Sequence, residues 1–103
     1  MPSTHAARHR PVHPGEILHE EFLVPLGISM YRLAKDTGMP ADRVGRLVHG
    51  TRAFSADTAL RLAAYFKTTA EFWMNLQARY DLEVARDSQG TKTISKIRPY
   101  RAA

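Results

Sequence analysis

Ser29-Met30-Tyr31-Arg32-Leu33-Ala34-Lys35-Asp36-Thr37-Gly38-Met39-Pro40-Ala41-Asp42-Arg43-Val44-Gly45-Arg46-Leu47-Val48-His49 is the stretch on which the fold turns. Ser29 suits an N-cap, where its hydroxyl accepts from an orphan N–H of the first turn. Met30, Leu33, Ala34 and Thr37 then recur at helical spacing, which predicts one buried stripe on a helix. Gly38 supplies the positive φ that a tight turn needs, and Pro40 opens a further helix with its φ already set. That helix is expected from about Pro40 to His49, burying Val44, Leu47 and Val48, with Gly50 as its C′ residue. Two short helices joined by Thr37-Gly38-Met39-Pro40, with small Ala34 where they approach, have the length and turn chemistry of a helix-turn-helix.

The flanks extend the pattern. A first helix is expected to open near Pro14, carry Ile17, Leu18, Phe22 and Leu23 on its apolar side, and stop before Pro25 and Gly27. Beyond the loop Thr51-Arg52-Ala53-Phe54, Ser55 caps a fourth helix holding Ala59, Leu62, Ala63 and Phe66. Thr68-Thr69-Ala70-Glu71 has the Thr-x-x-Glu form of a capping box. It predicts a fifth helix with Phe72, Trp73, Leu76 and Tyr80, reaching about Ala85. The expectation is an all-α, five-helix domain over residues 13–85, preceded by a mobile arm (1–12) and followed by a tail (86–103). In the tail, Ser88, Gly90, Thr91, Thr93 and Ser95 disfavour a helix. Thr91 to Ile97 suits a short strand, at an edge or across a dimer, or an unstructured segment.

The 103 residues suffice for a single core. No apolar run approaches the roughly 20 residues of a membrane span, the N-terminus lacks a secretory h-region, and there is no cysteine. A cytoplasmic protein without thiolate metal sites is expected. His5, His9 and His13 are spaced by four, but Pro11 and Pro14 interrupt that helix and nothing completes a ligand set. His19-Glu20-Glu21-Phe22-Leu23 starts like a zinc-protease motif, yet Leu23 stands where its second histidine would be. No phosphate loop or nucleophile constellation can be argued, so neither enzyme, cofactor nor metal is expected.

The formal charge of +5 is banded. Residues 1–12 and 86–103 are basic, 13–27 carry Glu16, Glu20 and Glu21, and 28–52 set five basic residues against two acidic ones. Such banding suits a polyanion-facing stripe, as well as an ordinary solvated surface. On the third helix Asp42, Arg46 and His49 point away from Val44, Leu47 and Val48, with Arg43 and Gly45 on the flanks. Entering a major groove, Arg46 and Arg43 would hold guanine O6 and N7, and Asp42 would accept from a cytosine N4 or orient an arginine. Gly45 would let the backbone come close. Thr51 and Arg52, with Ser29, Tyr31 and Arg32, suit phosphate contacts. With Ala41 these form the candidate DNA-contacting set. Phe72, Trp73, Leu76 and Tyr80 read as core and dimer packing rather than a partner-binding stripe, with Asn75 and Gln77 beside them placed to hydrogen-bond a loop.

Several ordered motifs also resemble HigA-type antitoxins, a branch of the Xre/Cro-like (lambda-repressor-like) helix-turn-helix repressors. They are His13-Pro14-Gly15-Glu16-Ile17-Leu18, Tyr31-Arg32-Leu33-Ala34-Lys35, Thr51-Arg52, Asp57-Thr58-Ala59-Leu60-Arg61-Leu62-Ala63, Glu71-Phe72-Trp73-Met74-Asn75-Leu76-Gln77 and Tyr80-Asp81-Leu82. The resemblance implies a homodimeric DNA-binding antitoxin that represses its own operon at an operator with two-fold symmetry. It also implies neutralisation of a HigB-like toxin, a small ribosome-dependent RNA-cleaving protein of RelE type. Met30 departs from the glutamine usual in the wider family, and Gly45 from a polar residue, which leaves the operator sequence open. The other readings are a stand-alone repressor of the same fold and a helical adaptor that binds only protein.

Overall fold

The computed structural model describes residues 10–88 and 90–102; Arg8, His5 and His9, in the expected arm, lie outside them. Helix α1 is built of three contiguous segments, α-helical Pro14–Ile17, π-helical Leu18–Leu23 and α-helical Val24–Leu26. Then follow α2 (Met30–Thr37), α3 (Ala41–His49), α4 (Ala56–Phe66), α5 (Ala70–Asp87) and a short α6 (Gly90–Ser95). Among the described residues none is in a strand, and no described helix is long and apolar enough to cross a membrane.

Helix α1 does not stop before Pro25 as its sequence suggested. A proline inside a helix lacks a donor and crowds the carbonyl four residues back. Here the chain widens first: the Val24 N–H bonds to His19 O, a π-type step that carries the helix through Pro25. Gly27, at φ 65°, ends it one turn later.

The core is a single cluster. Leu18 and Leu23 from α1, Leu33 and Ala34 from α2, Val44 and Leu47 from α3, Ala59 and Leu62 from α4 and Trp73 from α5 are all buried in it. Met39, from the turn, and Phe54, from the loop before α4, join them; Phe54 stacks on Trp73 with ring centroids 5.9 Å apart. Phe22 adds a further ring 5.0 Å from Trp73. Of the stripe expected on α5, Trp73 is fully buried, Leu76 and Tyr80 are half-buried, and Phe72 lies at the surface. The side chain of Gln77 receives the Phe54 N–H at 2.7 Å and donates to Asp81 at 2.9 Å, so it does bond a loop.

Two local expectations are corrected. The Thr68/Glu71 capping box is not formed. Thr69 is the N-cap and accepts the Phe72 N–H at 3.0 Å, while Thr68 accepts from the Trp73 indole N–H at 2.8 Å. The buried indole needs a partner, and it takes the hydroxyl that the box would have used. The tail is not a strand but the helical turn α6, closed by Lys96 N–H to Thr93 O and Ile97 N–H to Ile94 O. A lone strand has no ladder to join within this all-helical chain, so the backbone groups are satisfied locally.

Gly15 fixes how α1 meets the turn-containing helices. A Cβ built there would lie 1.9 Å from Leu47 O and 3.0 Å from Val48 O, so α1 rests backbone to backbone on the end of α3.

Candidate nucleic-acid interface

The turn is held by the residue types that predicted it. Ser29 Oγ accepts the Arg32 N–H at 3.0 Å. Gly38 adopts φ 73° and Gly50 φ 79°, the left-handed region open to glycine at little cost. The Gly50 and Thr51 N–H groups return to Leu47 O and Arg46 O, the bonds of a Schellman-type end. Pro40 is the N-cap rather than the first helical residue; its ψ of 141° is extended, and α3 starts at Ala41.

This frame anchors α3 by one side, with Val44 and Leu47 fully buried and Val48 half-buried. Asp42 and Arg46 lie on the outer side, 76% and 60% exposed, bridged by a 3.2 Å ion pair one turn apart. Such exposed pairs contribute at most about 0.5 kcal/mol, so an incoming polyanion can take Arg46 from Asp42 at small cost. His49 places Nδ1 2.6 Å from Gly45 O. A carbonyl only accepts, so Nδ1 carries the proton and Nε2 is the nitrogen left to the outside. A Cβ at Gly45 would meet nothing within 4 Å, so no internal packing requires glycine there. Ala41 is exposed at the start of the same helix.

Of the other arginines, Arg43 is drawn inward, whereas Arg32 stays exposed but paired. Arg43 is only 20% exposed; its guanidinium bonds Asp57 at 2.8 Å, and Arg61 bonds the same carboxylate oxygen at 2.9 Å. The hydrogen bond from Arg43, then that from Arg61, holds the Asp57 carboxyl below the usual range. Arg61 reaches on to Thr37 O at 2.8 Å, so one carboxylate ties α3, α4 and the end of α2 together. Arg32 pairs with Asp36 at 3.3 Å, and the Tyr65 hydroxyl donates to Asp36 at 2.6 Å. That phenol bond, more than Arg32, lowers the Asp36 carboxyl.

Tyr31 is exposed, as are Thr51 and Arg52, and Thr51 donates back to Arg46 O at 3.4 Å. Met30, expected in the buried stripe, is 39% exposed. It opens α2 at the rim of a groove of about 490 Å³ between the end of α1 and the end of α3, beyond reach of the core.

The structure therefore brings Asp42, Gly45, Arg46 and His49 together as a presented face and commits Arg43 to α4. Reading the sequence missed Asp57, Asp36 and Tyr65. The Asp57–Arg61 pair has a helical i,i+4 signal, whereas the Arg43–Asp57 link spans 14 residues and has none.

Comparison with known proteins gives this arrangement a context. A helix-turn-helix family model (HTH_3) matches residues 20–73. The chain is 45% identical over 84 residues to Virulence-associated protein I of Dichelobacter nodosus, spanning 81% of this chain and 78% of that protein. It is 41% identical over 75 residues to antitoxin HigA-1 of Vibrio cholerae serotype O1, spanning 73% of this chain and 70% of that one. The Pseudomonas aeruginosa antitoxin HigA, solved with the higBA promoter, superposes with a TM-score of 0.84 at 44% identity, covering 89% of this chain and all of that one.

Proposed function

The chain belongs to the helix-turn-helix family, among HigA-type antitoxins and related transcriptional regulators, and from that premise we propose that it is an antitoxin that binds operator DNA and represses its own operon. The observation that carries the reading is the presented face of α3, where Arg46 and Asp42 stand clear of a helix held to the core by Val44 and Leu47. An exposed arginine on such a helix suits the O6 and N7 edge of guanine. Ser29, Tyr31 and Arg32, at the start of α2, and Thr51 and Arg52, past the end of α3, serve as phosphate contacts that fix register.

Two copies would set their α3 helices about 34 Å apart on successive turns of an operator with two-fold symmetry. The toxin partner is a HigB-like RNA-cleaving protein. The test is co-expression with the adjacent gene: rescue of growth, co-purification and a shifted promoter fragment are expected. A promoter shift without rescue points to a stand-alone repressor, and no salt-dependent DNA binding overturns the reading in favour of a protein-only adaptor.

Two substitutions probe the face in different ways. Arg52→Ala weakens binding to specific and random duplexes alike and lowers the slope of log affinity against log salt by about one unit; equal slopes for variant and parent remove Arg52 from the phosphate contacts. Gly45→Ala stabilises the fold by about 0.5–1 kcal/mol, since glycine weakens a helix interior and the space is open. Because the added methyl stands where the backbone approaches the bases, operator affinity falls roughly fivefold or more. A stabilised variant with undiminished affinity shows that nothing comes close to that position.

A further inference from the structure

The carboxylate of Asp57, in the first turn of α4, is the meeting point of two arginines. Its Oδ2 accepts from Nη1 of Arg43 on α3 at 2.8 Å and from Nε of Arg61, one turn along α4, at 2.9 Å. Nη1 of Arg61 then donates to the Thr37 carbonyl at 2.8 Å. Thr37 ends α2, where helix carbonyls lack partners of their own and favour a cation. A Cβ on Gly38 would stand 3.2 Å from the same guanidinium nitrogen, so Arg61 lies directly against the turn. One acidic side chain thus holds the end of the helix before the turn and the flank of the helix after it.

Neither link is a core contact, since Asp57 is 54% exposed and Arg61 39%; exposed pairs of this kind add little to stability. An aspartate in a first turn is also favoured by the helix dipole, but that role uses neither arginine.

We propose that Asp57 is a positioning residue for operator recognition: through Arg43 and Arg61 it fixes the angle at which α3 leaves the turn, and with it the aim of Arg46. The inference rests on the reading of α3 as the helix that meets base edges. Hydrogen bonds to base edges demand close geometry, whereas attraction to phosphates tolerates a helix that rocks. Loosening the link therefore removes discrimination between sequences before it removes binding. Electrostatics alone predicts the opposite sign. Deleting a negative charge beside a polyanion strengthens binding to every duplex, so a folded variant that binds its operator less well has lost geometry.

The test uses the full chain as parent, Asp57→Ala, Arg43→Ala and the double variant. Affinity is measured for the promoter fragment and for a random duplex of equal length, with a thermal melt to fix the folded fraction. Asp57→Ala is expected to lower promoter affinity about tenfold, the size of one spoiled base contact, and to leave random-duplex affinity unchanged or slightly raised. Arg43→Ala should weaken promoter binding in the parent but add less than about twofold in the Asp57→Ala background, because the two act through one link.

An unchanged ratio of promoter to random-duplex affinity in Asp57→Ala overturns the proposal. So does a parallel fall on both duplexes, which a merely structural loss produces. Losses from Asp57→Ala and Arg43→Ala that add in full also overturn it, because Arg43 then acts on DNA without Asp57. A parent that does not prefer the promoter sinks the operator reading itself, a result distinct from all of these. Should Asp57→Ala fail to fold, Asp57→Asn keeps the shape and one acceptor oxygen and carries the same comparison. A smaller loss of promoter preference is then expected, and an unchanged ratio again overturns the proposal.

Discussion

Reversing the charge at Arg46 (Arg46→Glu) is expected to lower affinity for the promoter fragment by about 100-fold or more while leaving the fold intact. A bidentate arginine–guanine contact carries about 1–3 kcal/mol of discrimination, and a carboxylate in its place faces the phosphate field with the wrong sign. The side chain is 60% exposed and pairs at the surface with Asp42, itself 76% exposed. Its removal therefore costs the fold a few tenths of a kcal/mol, with a similar cost from two carboxylates one turn apart. Loss of binding by a variant that melts within a few degrees of the parent is the expected pair of results. Unchanged affinity would move the reading helix elsewhere.

The second large effect comes from the smallest addition. Gly15→Ala brings a methyl to 1.9 Å from Leu47 O, a backbone atom of α3 that cannot turn aside as a side chain end can. Either α1 lifts off α3 or α3 shifts as a unit, and overpacking of this kind costs about 1–3 kcal/mol, occasionally more. For a domain of this size each kcal/mol lowers the melting temperature by roughly 4–8 °C, so a fall of about 10 °C or more is expected in a thermal melt. Because the obstructed partner is the end of the proposed reading helix, operator binding at a temperature where the variant is folded should weaken too. A melting curve that overlays the parent's would mean that α1 and α3 do not meet as described.

These two positions also mark what the sequence could and could not say. The caps Ser29 and Ser55 and the glycines Gly38 and Gly50 were legible because each answers a local demand, an orphan N–H or a left-handed φ. The outward face of α3 followed from a 100° step per residue. Gly15 was legible only as part of a motif, since its reason is the Leu47 carbonyl lying far along the chain. Phe54 was rightly read as loop, but its burial was not legible, because it comes from stacking on Trp73, again a tertiary fact. Periodicity places Arg43 on a flank of α3 but cannot show its ion pair with Asp57 of α4, 14 residues along the chain. At Pro25 and in the tail, local rules were applied too strictly. A π-type step in one place, and the want of a pairing partner in the other, let the backbone do what the residue types disfavour.

The central claim is that the outer side of α3 meets base edges. The most direct measurement is the change in backbone amide NMR signals of the full chain on titration with its own promoter duplex. The largest shifts should fall on Ala41–Arg46 and on Ser29–Arg32, with Thr51 and Arg52 following and α5 little moved. If the shifts gather on α5 or the tail and leave Ala41–Arg46 undisturbed, the account is contradicted.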